Sequence, residues 1–210
     1  MTLTNPYCTL AALKLNIGIT SATDTADDTM LERAINAASR WIDDKAGTRF
    51  YTTAADETRY YTHPGAHLYG QDNEVWLCHD DILSITTLKT DVDGDRTYSD
   101  TWAATDYDLL PYYGPPYTWI ETTPTGNYTF PSYRRGIQIV GKFGYCTAAT
   151  QPPEIEAACI LIAQRWWKRK DAIFGVAGIA DLGQIQLSIP TDPDVLALLS
   201  PYIERNRGPF

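Results

Sequence analysis

The stretch Asp27-Asp-Thr-Met-Leu-Glu-Arg-Ala-Ile-Asn-Ala-Ala-Ser-Arg-Trp-Ile-Asp-Asp-Lys-Ala-Gly47 sets the architecture of this chain. Leu31, Ala34/Ile35, Ala38 and Trp41/Ile42 recur at a three-to-four spacing, which places them on one stripe of a helix. Asp27 and Asp28 stand at its positive end and favour the helix dipole. Gly47 is placed to take the left-handed conformation that stops it. A helix with a single apolar stripe must bury that stripe against another element. Its natural partner comes late in the chain. Pro152-Pro153 opens a helix over Glu154–Lys170, with Ile155, Ala158/Cys159, Ile162 and Trp166 as its apolar face. Glu154 and Glu156 lie at its start and Lys168, Arg169 and Lys170 at its end, so both dipole ends are complemented. A short third helix, Leu10–Asn16, is capped by Thr9 and stopped by Gly18.

Between the two long helices the texture changes. Thr58–Thr62, Glu74–Leu77, Ile82–Thr90, Tyr107–Leu110, Thr118–Glu121 and Gly136–Phe143 read as short strands, separated by turn residues and prolines. Asp93-Gly94 signals a hairpin returning through Arg96–Tyr98. Residues 51–147 hold twelve of the fourteen tyrosines and three of the six tryptophans. After the second long helix, Gly175–Gly183 is rich in small residues, Gln184–Ile189 alternates like an edge strand, and Asp192–Leu199 suits a short helix. The expectation is an α+β protein of one domain, residues 1–210. Segments 1–50 and 151–174 form its helical core, 51–147 an inserted antiparallel β-rich sub-domain, and 175–210 an extended C-terminal arm.

Composition narrows the function. The 210 residues carry 17 basic and 26 acidic side chains, a net charge of −9. An acidic chain is poorly suited to gripping nucleic acid or an anionic membrane surface. No apolar run approaches the roughly 20 residues that span a bilayer. The N-terminal Met-Thr-Leu-Thr-Asn-Pro has no basic-then-apolar pattern, so no secretory leader and a soluble protein are expected. Cys8, Cys78, Cys146 and Cys159 show no metal-ligand spacing and read as reduced thiols, with Cys159 inside an apolar helical run.

No catalytic signature emerges. Asp91-Val-Asp-Gly-Asp resembles a calcium loop, but Arg96 and Trp102 stand where Gly and Glu are required, so a solvated turn is the better reading. His63, His67 and His79 read as exposed loop histidines, because Pro64-Gly65 forbids the helix that would align the first two. Asp106 and Asp108 alternate along a strand and so share a face, as a glycosidase pair would. Gly-rich phosphate loops and nucleophile elbows are absent. No metal and no cofactor is expected. Trp166-Trp167-Lys-Arg-Lys is the most suggestive local cluster, since Trp and Arg are frequent anchors of protein contacts. Its basic residues also complement the helix end.

Taken in order, several of these segments resemble one known family. Tyr7-x-Thr9-Leu10-x-x-Leu13-Lys14, Asp27-Asp28, Leu31-x-x-Ala34-Ile35-x-x-Ala38-Ser39-x-x-Ile42-Asp43 and Gly47-x-x-Phe50 are similar to the opening of the head-to-tail connector (adaptor) proteins of tailed bacteriophages. Pro153-x-Ile155-x-x-Ala158 through Ala163-x-x-Trp166-x-x-Arg169 resembles that family's later helix, and Asp192-Pro-Asp-Val195 with Leu199 and Tyr202 its closing stretch. The resemblance implies a non-enzymatic virion protein, assembled in the host cytoplasm as a ring of commonly twelve copies beneath the portal protein. Such a ring extends the DNA channel, lets DNA pass without reading its sequence, and offers a platform to stopper or tail proteins.

Carried onto this chain, Trp166, Trp167, Arg169 and Lys170 would make ring contacts. Ile185, Leu187, Ile189, Tyr202, Ile203, Arg205, Arg207 and Phe210 would dock on the portal. The strand-rich insertion departs from the compact helical members. The competing reading is a carbohydrate-binding or carbohydrate-cleaving β module, with Trp76, Trp102, Trp119 and the central tyrosines as stacking platforms.

Overall fold

Helix α2, Asp28–Ala46, forms where the apolar stripe requires it, and Gly47 closes it in the left-handed region at φ +68 with its N–H on the Asp43 carbonyl. The computed structural model describes residues 2–21, 23–63, 74–76, 81–131, 134–169, 177–179, 183–185 and 192–205. Side chains are described throughout these ranges except at 74–76, 177–179, 183–185 and 204–205. The chain divides into two compact units, Met1–Gly47 with Gln151–Phe210 and Thr48–Thr150. Both junctions fall a few residues outside the insertion boundaries that the sequence suggests.

In the first unit α2 packs against α3 (Pro153–Lys168). Leu31, Ile35, Ala38 and Ile42 meet Ile155, Ala158, Cys159, Ile162 and Ala163, all of them buried. Each large aliphatic side chain sequestered this way contributes about 1.5–3 kcal/mol, and the alanines let the helices approach closely. Helix α1 (Leu10–Asn16) adds Leu13, and its first turn is capped by Thr9 Oγ1 accepting from Ala12 N. The segment ahead of α1 is strapped to α2. Asn36 Oδ1 accepts from Thr4 N, Ser39 Oγ accepts from Tyr7 N, Arg40 donates to the Asn5 carbonyl, and the Tyr7 hydroxyl donates to Asp43.

Within the stretch expected as an arm lie a two-stranded ribbon, β8 (Ala177–Ile179) with β9 (Gly183–Ile185), and helix α4 (Pro193–Arg205). Helix α4 packs on α2 and α3 through Val195 and Leu199. It runs past the expected end at Leu199 and through Pro201. Pro201 has no N–H for the Ala197 carbonyl, and the Ser200 hydroxyl donates to that carbonyl instead.

Among its described residues the second unit contains two antiparallel sheets. Strands β1 (Glu57–Tyr61), β7 (Ile137–Phe143), β3 (Ile82–Thr90) and β4 (Asp100–Thr101) make the first, in the order β1-β7-β3-β4. Strands β2 (Glu74–Trp76), β6 (Trp119–Thr122) and β5 (Tyr107–Leu110) make the second, in the order β2-β6-β5. An isolated Ile82–Tyr117 bridge links them. Ile82, Leu88, Trp102, Ile120, Ile137, Ile139 and Phe143 form a shared core. The β3–β7 ladder shifts register twice, and Gly141 of β7 lies so close to the Ser84 carbonyl that an added Cβ would sit 2.1 Å from it.

The hairpin expected at Asp93-Gly94 takes a different form. The Asp91 carboxylate, fully buried, accepts from Gly94 N at 2.8 Å and Arg96 N at 2.9 Å. This local turn competes with ladder pairing. Arg96–Tyr98 is therefore no strand, and the chain returns only as the two-residue β4, with Thr101 opposite Lys89.

Candidate interaction surfaces

The end of α3 carries the cluster expected to make contacts. Trp166 and Arg169 line a groove with Trp41 of α2, Leu161, Ile162 and Arg165 of α3, and Asp192 and Val195 at the start of α4. An Arg165–Asp192 ion pair at 3.0 Å crosses it and ties the two helix ends together. Trp166 and Trp167 are both half-buried, so neither is a pure core residue nor a free surface one. Lys170 lies outside the described residues. Among the residues expected to dock on a portal, Tyr202 and Ile203 are half-buried on α4, and the Tyr202 hydroxyl stands 3.5 Å from Glu154 Oε2 at the start of α3. The backbone of Ile185 belongs to β9 and that of Arg205 to α4. Leu187, Ile189, Arg207 and Phe210 lie outside the described residues.

The catalytic alternatives lose their geometry. Asp106 is buried and accepts from Ala103 N at 2.8 Å and from Asn127 N and Nδ2 at 3.3 Å, so its carboxylate staples a loop. Asp108 is exposed on β5. The two do not face a common pocket as an acid–base pair would. Trp102 is no sugar platform either. It is buried, stacks on Phe130 at 4.5 Å between ring centroids, and donates from Nε1 to Thr90 Oγ1 at 2.9 Å. His63, expected as an exposed loop residue, is buried and stacked over Phe130. The apolar ring beside it, sixty-seven residues away in sequence, is the reason. His67, His79 and the side chain of Trp76 lie outside what is described, and Trp119 is half-buried on β6.

Cys8 and Cys159 meet inside the first unit. The hydrogen bond to Cys159, reinforced by burial, pushes the Cys8 thiol far above its ordinary range. Cys159 also lies 3.6 Å from Ser39 Oγ. Burial, with Asp81 nearby, pushes Cys146 up to about 11. Cys8 and Cys146 are thus held protonated, whereas the hydrogen bond with Cys8, helped by Ser39, shifts the Cys159 thiol below its ordinary range.

Two surfaces escape a linear reading. Tyr112 and Tyr113 stand 73% and 92% exposed in the turn between β5 and β6. Arg96, Arg134 and Arg135 come together with Tyr60 and Tyr98 at one end of the first sheet. The only sequence signal for the second is the Arg134-Arg135 pair, because Arg96 and the tyrosines arrive through strand pairing.

No protein-family model and no curated protein matches the chain. Solved structures do. The chain is similar to one in the neck of an empty gene transfer agent particle determined with C6 symmetry, at 17% identity and TM-score 0.54, covering 96% of this chain and 92% of that one. A chain in the virion of the native gene transfer agent particle matches at 16% identity and TM-score 0.54, with 96% and 92% covered. One in the native neck determined with C12 symmetry matches at 15% identity and TM-score 0.53, with 96% and 91% covered. The chain shares their fold along nearly its whole length.

Proposed function

We propose that this chain is a non-enzymatic structural protein of a phage-like virion, an adaptor at the junction of head and tail. The observation that carries the reading is the fold shared with neck chains of gene transfer agent particles over 96% of the sequence. The particle necks were determined with sixfold and twelvefold symmetry, which supports a ring, with twelve copies as the expected number. In this reading the ring docks on the portal, extends the DNA channel, passes DNA without reading it, and receives a stopper or tail protein. It assembles in the host cytoplasm and resides in the virion.

The groove lined by Trp166 and Arg169 suits a ring contact, because aromatic and guanidinium groups are effective anchors once desolvated. Residues 184–210 are assigned to the portal. The test is mass measurement and negative-stain microscopy of the protein alone and mixed with its portal. Rings seated on the portal are expected. Removing residues 203–210, which shortens α4 by its last three residues but leaves its buried Val195 and Leu199 anchors, is expected to weaken portal attachment while the fold persists. A strict monomer that ignores the portal would overturn the proposal.

A further inference from the structure

The arginine cluster and the outer face of the second sheet are complementary in charge. Only six basic residues lie between positions 58 and 150, and three of them, Arg96, Arg134 and Arg135, converge on one exposed patch. Arg96 and Arg135 both hold the left-handed backbone conformation, at φ +71 and +58. Such a conformation is costly for a residue with a Cβ and persists only where other bonds enforce it. Here Asp91 accepts from Arg96 N, and Thr62 Oγ1 accepts from Arg135 N at 2.9 Å. The Arg135 guanidinium lies 4.5 Å over the Tyr60 ring, Tyr60 packs on Tyr98 at 5.4 Å, and the Tyr98 hydroxyl donates to the Arg135 carbonyl at 2.8 Å. Arg96 donates to the Arg134 carbonyl. Among the described residues no carboxylate lies within ion-pair distance of any of the three. A guanidinium stacked on tyrosine keeps its edge donors aimed outward, the geometry that binds a carboxylate through two parallel hydrogen bonds.

The opposite pattern occupies β5–β6–β2. The register sets Asp108 opposite Glu121, and Glu121 opposite Glu74. Like charges directly opposite one another destabilise a sheet. The exposed Tyr112 hydroxyl donates to Glu121 at 3.4 Å, weak compensation for that row.

We propose that the two surfaces belong to each other across copies, the Arg96–Arg134–Arg135 patch of one protomer receiving the Asp108–Glu121 row of the next. The proposal rests on the ring reading above and supplies a contact for it. Because the patches differ, the contact is head-to-tail, the kind that closes a ring when the rotation between copies permits. Pairing them also offsets the mutual repulsion of chains that each carry −9. Duplex phosphate is the competing occupant of the arginine patch, and the same net charge repels it.

Charge reversal tests the pairing. R134E/R135E and D108R/E121R are prepared as full-length chains, and unchanged circular dichroism and melting confirm that each folds. Each variant alone is expected to lose at least about tenfold in self-association, measured by sedimentation and native mass spectrometry with and without portal. An equimolar mixture is expected to recover assembly, in alternating rings of even copy number. Wild-type rings are also expected to weaken as salt rises.

Variants that assemble like the wild type, or a mixture that fails to recover, would overturn the pairing and leave the ring reading standing. Rings that persist in R134E/R135E while a duplex DNA that binds the wild type no longer binds would assign the patch to phosphate and likewise overturn it. Wild-type protein that stays monomeric alone and with portal would overturn the ring reading itself.

Discussion

Asp91→Ala offers the sharpest test of how the β-rich unit is held together. The carboxylate is fully buried and accepts two backbone N–H groups, from Gly94 at 2.8 Å and Arg96 at 2.9 Å. A hydrogen bond to a charged group contributes about 1.5–3 kcal/mol, so two would give about 3–6 kcal/mol. Gly94 and Arg96 are exposed, and their freed N–H groups can take water. That lowers the expected loss to about 2–3 kcal/mol. For a unit of this size such a loss moves the melting temperature by about 10–20 °C.

The assay is urea unfolding of the full chain followed by near-ultraviolet circular dichroism, together with thermal melting. Trp102 is a built-in reporter, since its Nε1 bonds Thr90, the residue before Asp91. Asp93→Ala, two residues on and exposed, is the control and should change stability by less than about 0.5 kcal/mol. Equal effects of the two substitutions would refute the assignment of Asp91 as the organising acceptor of the 91–99 loop.

Two further outcomes follow from local geometry. Gly144→Ala should cost roughly 3 kcal/mol or more, because φ is +133 and the new Cβ would lie 1.9 Å from the Tyr51 carbonyl oxygen. Gly114→Ala, at φ +122 with nothing within 4 Å, should cost only about 1–2 kcal/mol of backbone strain. Similar urea midpoints for the two variants would contradict the crowding argument. The thiols give a pH signature. Burial raises Cys146 from 9.0 to about 11, so the folded state holds its proton more tightly than the unfolded chain does. Its contribution to stability is complete below pH 9 and is lost as pH rises from 9 to about 11. Alkylation of the folded protein at pH 8 should accordingly be slow and accelerate on unfolding; rapid labelling of Cys146 at pH 8 in the folded state would exclude a protonated, shielded thiol.

The candidate surfaces were partly legible in the linear chain. Trp166 and Arg169 stand out through the residue types themselves, and the groove they line is a property of one helix face meeting its neighbours. Of the Arg96–Arg134–Arg135 patch only the adjacent Arg134-Arg135 pair was visible, because tertiary folding brings Arg96 to it across 38 residues. The same holds for Trp102. As a residue type it suits a sugar platform equally well, and its burial beside Phe130 makes it core.

The helices were readable because their determinants are local. The stripe from Leu31 to Ile42, the Thr9 cap and the left-handed Gly47 act within one or two turns, where a single residue's conformational preference is enough to start or stop the element. Strand identity came through for the same reason at Ile82–Thr90, where β-branched residues suit a pleated surface. Register, the division into two sheets and the burial of His63 depend on partners distant in sequence, and the Asp93-Gly94 hairpin fails because a short-range acceptor competes with it. There the outcome turns on which of several comparable hydrogen-bonding arrangements packs best. At Asp91 one buried carboxylate tips that balance away from the hairpin its neighbours would otherwise form.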